Sequence, residues 1–215
     1  MMSGEEIVYV VDDDARVREA LEELLTAWGL PSVGFASAAD YTRFERPEGP
    51  ACLILDVELP DINGLDFQQR IAGASHPPIV FLTGHGDIPS SVQAIKAGAI
   101  DFLTKPVGED ALLAAVRAGL KLDRLGRSAQ AETEGLRARF QTLTPRERDV
   151  LPLVVGGLLN KQAASELGIS DVTLQIHRRR IMQKMQAASL ADLVRMAASL
   201  RIPVTHTRRT RRPAE

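Results

Sequence analysis

A single cysteine, Cys52, in 215 residues excludes a disulfide framework. It sits inside the apolar run ACLIL, which reads as a buried, inert thiol rather than a reactive one. Long apolar stretches are lacking too. The longest are strand-sized, well short of the roughly 18 residues that a membrane-crossing helix requires. The N-terminus MMSGEEIVYV has acid rather than base ahead of its apolar run, the wrong flank for a secretory signal. These absences predict a soluble, cytoplasmic protein with no membrane partner.

Charge is present in both signs but divided along the chain. The net charge of -2 hides 8 Lys+Arg against 19 Asp+Glu in residues 1–120, and 18 against 9 in residues 121–215. The first part is therefore -11 and the second +9. A chance split is the bland reading. An acidic module joined to one that attracts polyanions explains it better, and the length suits two modest domains.

The first part alternates strand and helix signals. IVYVV, PSVGFA, ACLIL, PIVFL and IDFL read as strands. Each is followed by a helical pattern, such as ARVREALEELLTAWG with apolar residues at Val17, Leu21, Leu24, Leu25 and Trp28. Five such units predict an α/β domain over residues 1–120, a parallel sheet doubly wound by helices. Residues 121–142 are polar and rich in Ala, Arg and Glu, and read as a partly helical linker weakened by Gly126 and Gly135. An all-α module of four helices follows over 143–200, and 201–215 reads as a basic, disordered tail.

The strands end in polar residues that are costly to bury without a purpose. Asp12-Asp13-Asp14 follows the first, Asp56 the third, and Thr83 the fourth, while the fifth runs into Thr104-Lys105-Pro106. Ligands of parallel sheets bind beyond these carboxyl ends. Clustered carboxylates call for a hard cation, and Mg²⁺ suits oxygen donors with open positions. A carboxylate beside Mg²⁺, a hydroxyl and an ammonium is equipped to attack phosphorus. Asp14 reads as the cap of the next helix.

VYVVDDD, LILDVELPDINGLD, FLTGHGD and GAIDFLTKP, in this order, resemble the receiver domain of two-component response regulators. The resemblance implies a flavodoxin-like sheet and a phosphoacceptor, Asp56, served by a sensor histidine kinase. It implies Mg²⁺ held by Asp12, Asp13 and Asp56, with Asp13 and Asp56 the most direct, and by the backbone carbonyl of Glu58. Thr83 and Lys105 would contact the phosphoryl group, and Phe102 matches the aromatic switch residue. Glu58 departs from the neutral or basic residue common at its position.

In the basic part, LTPRERDVL carries a capping box, with Thr144 as N-cap, Pro145 at the first helical position and Glu147 reaching back. Asn160 to Gly168 and a helix capped by Ser170 form a helix-turn-helix, and Ser189 caps a fourth helix. Pro152 lies inside the first of these helices and predicts a bend or irregular turns. LTPRERDVLPLVVGGLLNKQAASELGIS with VTLQIHRRRIMQKM resembles the LuxR/NarL class of DNA-binding domain, and the whole chain a FixJ-type regulator. That resemblance implies base contacts from Gln175, Ile176 and Arg179. It implies phosphate contacts from Lys161, Arg178, Arg180 and Lys184. Double-stranded promoter DNA, a second copy of the chain upon phosphorylation and RNA polymerase are the partners it implies, with no enzymatic role. A dehalogenase-like phosphatase is the rival from another class, but it wants an Asp where Glu58 stands. A regulator indifferent to phosphorylation is the second rival.

Overall fold

The computed structural model describes residues 5–72, 76–84, 87–203 and 205. His85 and Gly86 of the TGHGD stretch, and nearly all of the basic tail, lie outside the described residues. The chain divides into two compact units, Met1–Ser128 and Ala129–Glu215.

In the first unit, β1 (Ile7–Val11), β2 (Ser32–Phe35), β3 (Ala51–Leu55), β4 (Ile79–Thr83) and β5 (Asp101–Thr104) form one sheet in the order β2-β1-β3-β4-β5. Every pairing is parallel. Between the strands lie α1 (Ala15–Ala27), α2 (Ala38–Arg43), α3 (Gly64–Ile71) and α4 (Ile88–Lys96), and α5 (Glu109–Gln141) follows β5.

Strand alternation sorts the core into two layers. Val8, Val10, Cys52, Ile54, Val80 and Leu82 face Leu21 and Leu25 of α1 and Leu112, Val116 and Leu120 of α5. Their neighbours Tyr9, Val11, Leu53, Leu55, Ile79 and Phe81 face Tyr41 of α2, Leu65 and Phe67 of α3 and Ala94 of α4. Burial on both faces is why these strands read as continuous apolar runs. The strand order reverses between β1 and β3, which opens a crevice at their carboxyl ends. Cys52 is buried, and burial pushes its thiol up to about 12, so it carries no thiolate chemistry near neutral pH.

Helix α5 is longer than expected. It continues unbroken through the stretch expected as a partly helical linker, reaching Gln141 despite Gly126 and Gly135. Leu122 and Leu125 stand exposed on it, whereas Leu136 is buried.

The second unit contains α6 (Pro145–Val155), α7 (Asn160–Leu167), α8 (Asp171–Met185) and α9 (Leu190–Ser199). Val150, Leu151, Leu174, Ile181, Met185 and Leu193 meet in its core. The capping box of α6 is formed: the Thr144 hydroxyl accepts from the Glu147 amide at 3.3 Å, and the Glu147 carboxylate from the Thr144 amide at 2.8 Å. Pro152 does not interrupt α6, so of the bend or irregular turns expected from it the irregular turns are absent. The carbonyl it deprives of an amide belongs to exposed Arg148, where an unpaired acceptor costs least.

Candidate functional site

The residues that end the strands meet at one edge of the first unit. The Asp56 amide donates to the Val11 carbonyl at 2.9 Å, which fixes the end of β3 beside the end of β1. The Lys105 amide donates to the Thr83 carbonyl at 2.8 Å, tying the segment after β5 to β4. Lys105 then reaches across the strand ends. Its Nζ lies 2.6 Å from Asp12 Oδ2 and 2.6 Å from Asp56 Oδ2. Asp12, Asp56 and Thr83 are buried, Asp13 is exposed, and the Lys105–Pro106 peptide is cis.

Two carboxylates share this one ammonium in a poorly solvated place. Burial pushes the Asp12 carboxyl above its ordinary value, beyond what its hydrogen bonds and the Lys105 charge restore. Burial alone would lower the Lys105 ammonium, but its hydrogen bonds to Asp12 and Asp56 and their charges hold it above its ordinary value. The cluster is short of positive charge. Asp12, Asp13 and Asp56 each offer an oxygen, all within 4.8 Å of one another. Three hard donors, one of them open to solvent, fit a hard divalent cation.

The loop after Asp56 accounts for Asn63 and Gly64. The Glu58 amide donates to Asp56 Oδ1 at 3.1 Å, and Glu58 forms an antiparallel bridge with Asn63. Asn63 caps α3 by accepting from the Leu65 amide at 2.9 Å. The Gly64 amide returns to the Val57 carbonyl at 2.8 Å, so close that a β-carbon at 64 would overlap the Asp56 carbonyl oxygen. Asp14 caps α1 through the Arg16 amide at 2.9 Å. Arg18, not anticipated from the sequence, donates from Nη1 to the Asp12 carbonyl at 2.7 Å and braces the acidic loop. A helical arginine gives no sequence signal for such a role.

Phe102 is half-buried against Phe81, with ring centroids 5.8 Å apart. Its other neighbours, Ser91, Val92, Ile95, Lys96 and Asp101, line a shallow cleft of about 450 Å³. On α4, Ile88, Val92 and Ile95 are 79%, 45% and 47% exposed, an apolar stripe at i, i+4 and i+7.

In the second unit, α7 ends at Gly168, whose φ of 64° is the left-handed turn that glycine permits. Ser170 Oγ then accepts from the Thr173 amide at 3.1 Å and starts α8. Leu174, Ile181 and Met185 are fully buried, which turns the opposite face of α8 to solvent. Gln175, Arg179 and Arg180 are exposed on α8, Ile176 is 47% exposed, and Lys161 is exposed near the start of α7. Gln175 Nε2 lies 3.3 Å from Asp171 Oδ2.

Two cations expected at phosphates also have partners within the unit. Arg178 Nη1 donates to Asn160 Oδ1 at 3.0 Å, joining α8 to the start of α7. Lys184 Nζ lies 2.6 Å from the buried carboxylate of Glu147 and 3.1 Å from the Thr142 carbonyl. The capping motif anticipates the bond of Glu147 to Thr144 but not its bond to Lys184. The two residues are 37 positions apart, so no local spacing reveals the pair.

Residues 8–117 match the response regulator receiver domain family, and residues 141–197 the luxR family of bacterial regulatory proteins. Nodulation protein W of Bradyrhizobium diazoefficiens is 47% identical over 209 residues, covering 97% of this chain and 92% of that protein. The transcriptional regulatory protein FixJ of Azorhizobium caulinodans is 44% identical over 192 residues, 88% of this chain and 90% of that one. The solved structure of the response regulator StyR superposes with a TM-score of 0.82 at 45% identity, covering 91% of this chain and 99% of its own. Among the described residues no helix is long and apolar enough to cross a membrane. An acid-lined receiver unit and a helix-turn-helix unit in one chain, shared along nearly the full length of these relatives, make this protein a member of the response regulators with a LuxR-type DNA-binding domain, a family of transcriptional regulators.

Proposed function

We propose that Asp56 is the phosphoacceptor and that its phosphorylation controls promoter binding by the second unit. The convergence of the Asp12 and Asp56 carboxylates on Lys105 Nζ, at 2.6 Å each, carries this reading. An Asp56 oxygen attacks phosphorus on the phosphohistidine of a sensor kinase. The new P–O bond forms as the P–N bond breaks, and the imidazole leaves with the electron pair. Asp12, Asp13, Asp56 and the Glu58 backbone carbonyl would hold Mg²⁺, which supplies the positive charge that lets a carboxylate approach a phosphoryl group. Lys105 neutralises charge on the transferred group, and the Thr83 hydroxyl donates to one of its oxygens.

Phe102 moves with Thr83 and reports the phosphoryl group to the cleft beside α4. The apolar stripe of Ile88, Val92 and Ile95 supports homodimerisation there on phosphorylation. On α8, Gln175, Ile176 and Arg179 read base edges, while Lys161 and Arg180 meet phosphates. Arg178 and Lys184 join them at phosphates, in addition to holding the helices through Asn160 and Glu147. The regulator works in the cytoplasm, bound at promoters where RNA polymerase is a further partner.

Incubation with acetyl phosphate and Mg²⁺, followed by mass spectrometry, tests the central assignment. One phosphoryl group on Asp56 is expected, lost in Asp56→Ala and suppressed by chelator. Label that persists in Asp56→Ala, or that forms equally well with chelator, contradicts it.

A further inference from the structure

Helix α8 exposes an apolar residue that none of the expected DNA contacts include. Val172, its second residue, is 68% exposed. Successive residues turn by ~100° in an α-helix. Val172, Gln175, Ile176 and Arg179, at i, i+3, i+4 and i+7, therefore fall on one stripe within ~100° of arc. Val172 lies near its middle. The buried Leu174, Ile181 and Met185 occupy the opposite side. Two branched aliphatic side chains, Val172 and Ile176, thus stand one turn apart on the face that also carries Gln175 and Arg179, and Ile176 is 47% exposed.

Their position on the helix matters as much as their face. The recognition helix of a helix-turn-helix points its N-terminal residues at base edges in the major groove. The Ser170 cap fixes that end, with its hydroxyl on the Thr173 amide at 3.1 Å. Valine has no hydrogen-bonding group to offer a base. The feature of the major-groove edge it can complement is the thymine C5-methyl.

We infer that Val172 is a fourth base-reading residue that, together with Ile176, recognises thymine methyl groups in each half-site. This rests on the proposed reading of α8 as the recognition helix. One helical turn advances about 5.4 Å, and base pairs stack about 3.4 Å apart. Val172 and Ile176 therefore address thymines one or two base steps apart. Losing the methyl contact should cost about three- to fivefold in affinity, the scale of one buried methylene.

The test begins with selection of preferred duplexes from a random pool by the full-length phosphorylated protein. Each thymine of the selected half-site is then replaced in turn by deoxyuridine, which removes only the methyl group. Wild type should lose about three- to fivefold at two nearby positions. Val172→Ala should become indifferent to the substitution at one of them, and Ile176→Ala at the other. Val172→Ala should leave affinity for random DNA unchanged, and its high exposure makes misfolding no explanation. A selected half-site without thymine overturns the inference. So does Val172→Ala that keeps every wild-type deoxyuridine penalty, or that weakens random and selected DNA equally. A transcription defect with unaltered DNA binding also overturns it and points instead to a protein partner at Val172. Arg179→Ala, run in parallel, separates the two levels. If it leaves every wild-type base preference intact, the reading of α8 fails; if it removes a base preference while Val172→Ala keeps every wild-type deoxyuridine penalty, only the Val172 inference fails.

Discussion

At the scale of single residues, the telling ones bind across elements rather than along the chain. Glu147 is 1% exposed and serves both the Thr144 cap and Lys184. Burial alone would raise its carboxyl. The Lys184 hydrogen bond, the Thr144 amide and hydroxyl and the Lys184 charge outweigh burial and hold it below its ordinary value of 4.5. Because the folded pKa is lowered, the pair's stabilisation is present above pH 4.5 and fades as pH falls through the folded value. Lys184→Ala should therefore destabilise the protein by about 1.5–3 kcal/mol near neutral pH. The deficit should shrink in acid, where Glu147 is protonated even in wild type. Urea unfolding at neutral and acidic pH measures both. Unchanged stability with weaker binding to random DNA would leave Lys184 the phosphate contact alone. Gly64 is the second such residue. Gly64→Ala should cost about 1–3 kcal/mol by overpacking and slow phosphorylation of Asp56, because the backbone that must shift is that of the proposed phosphoacceptor. Phosphorylation at the wild-type rate, followed by mass spectrometry over time, would contradict this.

At the scale of elements, the strands and most helix starts were legible in the sequence, because each rests on a local signal. Continuous apolar runs marked β1, β3 and β4, and Asp14, Thr144, Ser170 and Ser189 announced their helices and do accept from their first turns. The strand-end cluster was legible too, since parallel topology alone carries Asp12, Asp56, Thr83 and Lys105 to one edge. What was not legible depends on context. Gly126 and Gly135 weaken a helix only by about 1 kcal/mol each, too little to break α5. Pro152 is tolerated because the carbonyl that loses its amide belongs to exposed Arg148 and the helix is anchored by Val150, Leu151, Leu153 and Val154. The roles of Arg18, Arg178 and Lys184 depend on partners in other elements, which spacing does not encode. Exposure singled out the α4 stripe as well. Val92→Glu should leave phosphorylation of Asp56 intact while preventing phosphorylation-dependent dimerisation. Light scattering with and without acetyl phosphate would show it, and a phosphorylated dimer in the variant would rule out α4 as the interface.

At the scale of the whole molecule, chemistry and charge are partitioned between the two parts of the chain. The -11 part holds the acidic strand-end cluster of the receiver domain, and the +9 part is suited to a polyanion. Binding by the second part should be steep in salt, since each lysine or arginine at a phosphate releases counterions. Such attraction is sequence-independent and continuous, whereas a regulator needs a switch. That switch is proposed at Asp56, far along the chain from α8. The most direct measurement is the affinity of the full-length protein for a selected duplex, with and without acetyl phosphate, for wild type and Asp56→Ala at one fixed salt concentration. Phosphorylation should tighten binding by wild type and leave Asp56→Ala unchanged. Equal affinity of phosphorylated and unphosphorylated wild type would contradict the account and mark the protein as a DNA-binding regulator indifferent to phosphorylation.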